Sequence, residues 1–355
     1  MEERLTAAQF SKGTGENNLW QYEIYLDELT IKNLKVKKPY STFRELISPV
    51  QFKEYYLADR MLEMARQIAC LVTPSSLYVR LERKGKCIRW LDVQTLPSES
   101  EQKNHTPIAM TFGADVEFMI VNRKSGKFVA YPGATYDDGT VGTDRALSRH
   151  EHHFYRPIFE LRPPPATSGE QLYQSVKREY ERLSYRLNRH GYDIDSRPNP
   201  FGRWTLGGHF HIGGYWPRKV DIRRLDRYVA LPLRILEDSS GDERRKTDGR
   251  LSAVRPNAFQ GFEYRTLSTW CDKILEAKSL FQWFDACIRK QGIEYLDDTP
   301  LKKAELEAFY QEDDKQARAI CEKMYENIKR TLPQGSFYDD AKSFFNWVLN
   351  KPSND

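Results

Sequence analysis

The sequence has few cysteines and no long apolar run. Its 355 residues include 5 cysteines, an odd number, and no two of them form a Cys-x-x-Cys pair. We therefore expect buried free thiols in a reducing compartment. No apolar stretch approaches the ~20 residues of a transmembrane helix, and the first residues are too polar for a signal peptide. These absences predict a cytoplasmic protein that has no membrane partner.

Three common catalytic or nucleotide-binding motifs are also missing. Ser125-Gly126-Lys127 lacks the earlier glycine that a P-loop requires. No Gly-x-Gly-x-x-Gly opens a helix after a strand, and no Gly-x-Ser-x-Gly nucleophile elbow occurs. If ATP binds, its phosphates must therefore be held by metal ions on carboxylates.

An excess of one charge is absent as well. Lys and Arg total 55 and Asp and Glu total 50, which gives a net charge of +5. That balance permits an anionic ligand such as a nucleotide, but it does not by itself indicate nucleic-acid binding. With 39% hydrophobic and 30% charged residues, the composition predicts a globular protein with a sizeable core.

The chain divides into three predicted units. Residues 1–100 show strand and hairpin patterns around one amphipathic helix, carry no chemical motif, and are predicted to be a small α+β accessory unit of unknown role. The polar stretch Pro97–Pro107 is the predicted linker. Residues 106–292 carry the motifs described below and are the predicted catalytic domain. Residues 293–355 are predicted to form a helical C-terminal extension.

The most informative stretch is Thr205–Tyr215, which reads TLGGHFHIGGY. On a strand, successive side chains point to opposite faces, so His209 and His211 share one face while Phe210 and Ile212 share the other. Flanking glycines let a ligand approach the backbone closely. The pattern therefore indicates a functional site more than a purely structural strand.

The same alternation recurs in three other stretches. A sheet that gathers these strands would bring their polar residues together with the two histidines on one concave face. The stretches are FGADVEFMIV with Asp115 and Glu117, FELR with Glu160 and Arg162, and FEYRTL with Glu263 and Arg265.

This set of side chains favours a metal–ATP site. Several carboxylates in one pocket repel each other unless cations neutralise them. Hard oxygen ligands suit magnesium or manganese, which commonly bridge to phosphates. Arginines beside such metals suit a phosphoryl group, because the guanidinium fork matches its oxygens.

Two other classes stay open from the residues alone. His209 and His211, with another histidine and an acid, could hold a catalytic zinc in a hydrolase. That hypothesis leaves four polar residues of the same face without a role: Asp115, Glu117, Glu263 and Arg265. The basic runs PRKVDIRR and DERRKTDGR could bind nucleic acid, although such runs are usually solvated. Paired polar residues also occur on any half-exposed sheet, where Arg and Glu side chains can simply pair across neighbouring strands without forming a functional site.

Several segments outside the motifs carry local predictions. Ser168 and Gln171 predict a capping box at the start of a long helix. The polar segment Ser239–Arg250 is predicted to be a mobile loop, either a lid over phosphates or a plain solvated loop. The acids of Asp137–Asp144 could touch metal or substrate, but a solvated turn is the favoured interpretation.

The motifs GADVEF, FELRPPP, GGHFHIG and EYRT, in this order, resemble the phage-associated carboxylate–amine ligases, or amidoligases. These belong to the glutamine synthetase and glutamate–cysteine ligase superfamily. The resemblance covers about 111–290 and implies an α+β, glutamine synthetase-like domain. In that fold a curved, mainly antiparallel sheet lines a concave active site and helices pack on its outer face.

The resemblance implies an activity and two metal sites. Such enzymes phosphorylate a carboxylate with ATP and then let an amine attack the acyl phosphate to form an amide. Glu117 and Glu160 would hold one Mg²⁺ or Mn²⁺, and Asp115, His209 and Glu263 would hold a second. The family usually has Glu where Asp115 stands.

The resemblance also implies roles for the cationic side chains. His211 would contact an ATP phosphate, and Arg265 would bind the transferred phosphoryl group. Arg162 and Arg255 are further candidates for that group or for a substrate carboxylate. The partners would be a small-molecule or peptide carboxylate and an amine, in the host cytoplasm if a phage encodes the chain.

Overall fold

The computed structural model describes residues 1–42, 45–97, 109–144, 146–150, 153–289, 292–311 and 313–350. The predicted linker Pro97–Pro107 lies outside these residues apart from Pro97 itself. Within the described part of the chain, no helix combines the length and the apolarity that a membrane span requires.

Residues 1–97 contain a five-stranded antiparallel sheet and a helix that packs against it. The elements are α1 (Glu2–Ala7), β1 (Trp20–Asp27), β2 (Thr30–Lys37), β3 (Glu45–Ile47), α2 (Pro49–Phe52), α3 (Ala58–Cys70), β4 (Ser76–Lys84) and β5 (Cys87–Thr95). The strand order is β3-β2-β1-β4-β5. Ile24 and Leu26 share a core with Met61 and Ile68 of α3. The strands, helix and hairpin predicted for this unit are confirmed.

A second antiparallel sheet occupies the middle of the chain. Its strands and the small β8–β9 pair are β6 (Thr111–Asn122), β7 (Val141–Thr143), β8 (Ser148–His150), β9 (His153–Tyr155), β10 (Phe159–Leu161), β11 (Tyr192–Asp195), β12 (Gly208–Gly213), β13 (Val254–Pro256) and β14 (Phe262–Tyr264). The order is β13-β14-β12-β6-β10-β7, and β11 pairs with the far end of β6. This architecture confirms the α+β class with a mainly antiparallel sheet.

Helices cover the apolar face of this second sheet. The helices that follow the first motif are α4 (Gly169–Arg189), α5 (Lys219–Leu225), α6 (Leu231–Leu233), α7 (Gly241–Lys246), α8 (Lys278–Arg289), α9 (Lys303–Tyr310), α10 (Asp314–Thr331) and α11 (Ser336–Leu349). Phe210 of β12 stacks on Phe284 of α8 with ring centroids 4.2 Å apart and meets Phe281 at 5.3 Å. Because Phe210 faces the helices, its neighbours His209 and His211 face the other way.

The long helix α4 begins as predicted, with one difference. The Ser168 hydroxyl accepts a hydrogen bond from the Gln171 backbone N–H at 3.2 Å, so Ser168 is the N-cap. The Gln171 side chain, however, accepts from the backbone N–H and hydroxyl of Thr167 and not from Ser168. The reciprocal half of the capping box has therefore moved back by one residue.

The segment Ser239–Arg250 differs from its prediction as a loop. It contains α7, and the Arg244 and Arg245 side chains are buried in it. Arg245 pairs with Glu237 and Asp242, while Arg244 donates to backbone carbonyls, at 2.9 Å in the case of Leu206. A polar segment can be buried when its charges are paired in this way, which composition alone does not reveal.

The C-terminal helices pack onto α8, where Trp283 meets Phe337, Phe344 and Phe345 of α11. Pro300 suits the first position of a helix, so the sequence predicts that one begins there, but the first α-helix of this extension begins at Lys303. The division of the chain into three units stays a prediction, since these contacts do not define where a domain ends.

Candidate active site

The strand register brings the predicted polar residues onto one face of the second sheet. His209 of β12 lies directly opposite Asp115 of β6, and Glu160 of β10 lies opposite Glu117 of β6. Glu263 of β14 is flanked across the sheet by two further site residues, His211 and Arg255. The four strands that sequence alternation singled out are thus neighbours in one sheet.

The first group of potential metal ligands consists of Asp115, His209 and Glu263. One ligand atom from each lies within 4.8 Å of the others. His209 Nδ1 is 3.2 Å from Asp115 Oδ1 and 3.3 Å from Glu263 Oε1. Among the residues that the structure describes, neither His209 Nδ1 nor Asp115 Oδ1 has a hydrogen-bond partner of normal geometry, although both atoms are buried. Buried atoms of this kind suit a cation that they could share.

The second group consists of Glu117, Glu160 and Asp144, again with ligand atoms within 4.8 Å of one another. Glu117 and Glu160 belonged to the predicted pair, but Asp144 did not. It ends the segment 137–144, which the sequence favoured as a solvated turn. The strand β7 carries Asp144 to this place because Gly142 pairs with Glu160. The several acidic residues of this segment indicated that one of them could reach a metal, but the sequence did not show which one lies in the site.

The electrostatics of the two groups differ. Burial alone would raise the pKa of Asp115, but His209 and His211 outweigh it and hold that pKa well below its usual range. Burial raises the pKa of Glu117, and burial together with the Asp115 charge raises the pKa of Glu160 to about 7. The second group therefore holds more negative charge than its own surroundings neutralise, which favours binding of a cation.

The predicted arginines all contact carboxylates of the site. Arg162 pairs with Glu160, and Arg265 Nε lies 3.1 Å from Glu263 Oε1. Arg255 Nη2 also donates to Glu263 Oε1, at 3.1 Å. The exposed side-chain fraction is 44% for Arg162 and 49% for Arg255 but only 19% for Arg265. Arg265 is thus the arginine built into the site, while the other two stand at its edges.

His211 occupies a different position from His209. Its Nε2 lies 3.1 Å from Asp115 Oδ1, and a quarter of its side chain is exposed. Burial would lower the pKa of His211, but Asp115 and Glu263 raise it overall. A partly exposed imidazole whose proton is favoured by neighbouring carboxylates can face an anionic ligand.

Arg244 of α7 is a site residue that the sequence analysis missed. Its Nη2 faces His209 Nε2 at 3.1 Å and donates to the Arg265 carbonyl at 3.0 Å. A guanidinium only donates, so this contact is a hydrogen bond only in the tautomer whose Nε2 carries no proton. A ring nitrogen that binds a cation has no proton, so metal binding at Nδ1 would need the other tautomer and would cost Arg244 this acceptor.

Gly207 makes this close approach possible. A Cβ atom added there would lie 2.2 Å from His209 Nε2 and 2.3 Å from Arg244 Nη2. The Gly207 backbone cannot shift easily, since its N–H donates to the Glu117 carboxylate at 2.5 Å and its carbonyl accepts from the Glu117 N–H at 2.8 Å. The close packing of His209 and Arg244 therefore requires a glycine at position 207, just before the His-x-His strand.

The residues present fit divalent metal ions with hard ligands. One group offers three carboxylates, and the other offers two carboxylates and one imidazole. Oxygen-rich sets of this kind suit Mg²⁺ or Mn²⁺ better than zinc, which prefers sulfur and nitrogen ligands.

Comparison with known proteins agrees with these motifs. The family model described as phage phiEco32-like COOH.NH2 ligase-type 2 matches residues 112–353. No curated protein matches the chain. A solved structure titled "Apo GmaS without ligand" is similar over 91% of each chain, but its 14% sequence identity and TM-score of 0.39 are too low to support a conclusion. Because the family model covers well over half of the sequence and contains all the site motifs, the chain belongs to the phage phiEco32-like COOH.NH2 ligase-type 2 family of carboxylate–amine ligases.

Proposed function

We propose that this protein is an ATP- and magnesium-dependent carboxylate–amine ligase that works through an acyl phosphate. The observation that supports this most strongly is the pair of ligand groups on neighbouring positions of one sheet face. Asp115 and Glu117 are two residues apart on β6, so their Cα atoms lie roughly 7 Å apart and the two groups are neighbours. Two cations in neighbouring groups can serve one chain of phosphates.

We assign Asp115, His209 and Glu263 to one Mg²⁺ and Glu117, Glu160 and Asp144 to the other, with Mn²⁺ as a substitute. Bound there, the ions would neutralise phosphate oxygens and orient ATP, which is what such metals supply in phosphoryl transfer.

The protein's own cations would act on the transferred group. In the proposed reaction a substrate carboxylate oxygen attacks the γ-phosphorus and ADP leaves. The amine then attacks the acyl carbon, phosphate leaves, and the amine loses a proton. We assign Arg265 to the transferred phosphoryl oxygens, and its largely buried position beside Glu263 supports this role. His211 would contact an ATP phosphate.

The two exposed arginines suit a second task. Arg162 and Arg255 stand at opposite edges of the site and keep half of their side chains in solvent. Such groups can bind either the phosphoryl group or a carboxylate of the incoming substrate. We propose that the acid is a small-molecule or peptide carboxylate and that its partner is an amine. The proposed location is the cytoplasm, that of the host if a phage encodes the chain.

The zinc-hydrolase hypothesis is less well supported by the geometry. Both imidazoles of the strand contact the same oxygen, Asp115 Oδ1, at 3.2 and 3.1 Å. A hydrolase would leave the all-carboxylate group unused. Nucleic-acid binding loses most of both basic runs, because Lys219, Arg223 and Arg224 of PRKVDIRR are buried. Arg244 and Arg245 of DERRKTDGR are buried as well.

The test is ADP release with pooled acids and pooled amines in the presence of Mg²⁺. We expect release that requires both pools, and Glu117→Gln should abolish most of it while the fold survives. Glu179→Gln is a matched control, since Glu179 is buried but pairs with Arg182 away from the site. Normal turnover in Glu117→Gln would refute the metal assignment. Retained zinc without ATP binding would favour the hydrolase.

A further inference from the structure

The N-terminal unit contributes a mostly buried acidic side chain to the candidate active site. Glu63 of α3 places Oε2 3.7 Å from Arg265 Nη1, and only 15% of its side chain is exposed. On its other side, Arg265 Nε is 3.1 Å from Glu263 Oε1. The guanidinium thus lies between two carboxylates, and Glu63 is outside the residues 112–353 that the family model matches.

Glu63 is itself oriented by its own helix. Gln67, one turn later on α3, donates from Nε2 to Glu63 Oε1 at 3.4 Å. The remaining oxygen, Oε2, faces Arg265. Because one oxygen is engaged and the other points into the site, the carboxylate has a defined direction and is not a freely rotating surface charge.

The end of α3 is fixed to the catalytic unit by buried cations. Arg223 of α5 donates from Nε to the Cys70 carbonyl at 2.9 Å. Arg223 and Lys219 both donate to the Val72 carbonyl, and Lys219 also donates to the Pro74 carbonyl. Cations satisfy the free carbonyls at a helix C-terminus and stabilise its negative dipole end.

A second attachment lies closer to Glu63. The Arg66 guanidinium stacks over the Trp216 ring at 5.5 Å and donates from Nε to the Leu29 carbonyl at 3.1 Å. Arg66 is buried, so this contact between the units excludes water. α3 is thus attached at two points to the part of the chain that carries the second sheet, and these attachments support the position of Glu63 beside Arg265.

We propose that Glu63 is a positioning residue for Arg265, and that the N-terminal unit is therefore a working part of the active site. This inference rests on the proposed ligase function, in which Arg265 holds the transferred phosphoryl group. An arginine with a carboxylate beside Nε alone can still rotate its planar guanidinium about the Cδ–Nε bond. A second carboxylate on the Nη1 side opposes that rotation and holds the guanidinium in one orientation for the phosphoryl group.

The test compares Glu63→Gln with Asp59→Asn, an exposed acid on the same helix. Glu63→Gln should lower kcat roughly tenfold, the usual scale for a residue that orients another, with little change in KM for ATP. Asp59→Asn should leave both constants unchanged. In an Arg265→Lys background, Glu63→Gln should cause no further loss, because the group it positions is already gone. The proposal would be overturned if the loss of kcat in the double variant equalled the product of the losses in the two single variants.

A second measurement needs no substrate. Thermal unfolding of the two single variants and the double variant should give shifts in Tm that do not add, since the two side chains interact. Additive shifts would overturn the proposal as well. A wild-type chain that releases no ADP would refute the proposed function, and with it the phosphoryl role of Arg265 that Glu63 is proposed to support. An active wild type with additive variants would overturn the positioning role alone.

Discussion

Glu160→Gln is expected to make the protein more stable without metal and worse at binding metal. Glu160 is buried opposite Glu117, and burial, with the Asp115 charge second, raises its pKa from 4.5 to about 7 despite the attraction of Arg162. A carboxyl group with a raised folded pKa binds its proton more tightly when folded. The stability contributed by the protonated Glu160 carboxyl group is therefore complete below about pH 4.5 and is lost as the pH rises through about 7.

The size of the effect follows from that shift. Each pKa unit corresponds to about 1.4 kcal/mol, so the ionised Glu160 lowers the free energy of unfolding at pH 8 by about 3 kcal/mol. Glutamine has the same shape but cannot ionise. Glu160→Gln should therefore raise the free energy of unfolding at pH 8 by up to about 3 kcal/mol, and the gain should shrink as the pH falls toward 5. The attraction between Arg162 and ionised Glu160 needs no separate correction, because it already lowers the Glu160 pKa from which this free energy is calculated.

The assay is denaturant unfolding at pH 8, first with a chelator and then with increasing Mn²⁺. The wild-type chain should gain stability as it binds the ion, and the variant should gain much less. Glu179→Gln is the control, because Glu179 is buried among Arg178, Arg182 and Thr140 and has cations as its neighbours. That variant should lose stability and keep the response to Mn²⁺. A Glu160→Gln protein that is less stable than wild type in chelator would refute the reasoning, as would an undiminished response to Mn²⁺.

Other predictions concern turnover, packing and helix capping. Arg265→Lys keeps the charge but loses the planar fork, so kcat should fall by about 10²–10³-fold, whereas His211→Ala should first raise KM for ATP. If Arg265→Lys changes only KM for the acid, Arg265 binds the substrate instead. Gly207→Ala would place a methyl group 2.2 Å from His209 Nε2 and should cost about 1–3 kcal/mol of stability, measured by unfolding, and weaken Mn²⁺ binding. Ser168→Ala should cost about 1 kcal/mol through loss of the N-cap, with turnover nearly unchanged; a large loss of turnover at unchanged stability would contradict this.

The sequence alone determined which side chains share a face. The period of two in a strand puts Asp115 with Glu117 and His209 with His211 wherever the strands lie in the sheet. The motif order then indicated the family, which the match over residues 112–353 confirms. The apolar alternate positions, such as Phe210, predicted correctly which face packs against a core, and the helices on that face are those that the family resemblance implied.

The tertiary structure alone decided which more distant residues join the site. Asp144 reaches Glu160 through a short strand, and Arg244 reaches His209 from a helix with the composition of a solvated loop. Glu63 reaches Arg265 from α3, about 200 residues earlier in the chain. No local periodicity connects such residues, because their positions depend on how separate elements pack. A buried charge also looks like a surface charge in the sequence until its partner, often far along the chain, is known.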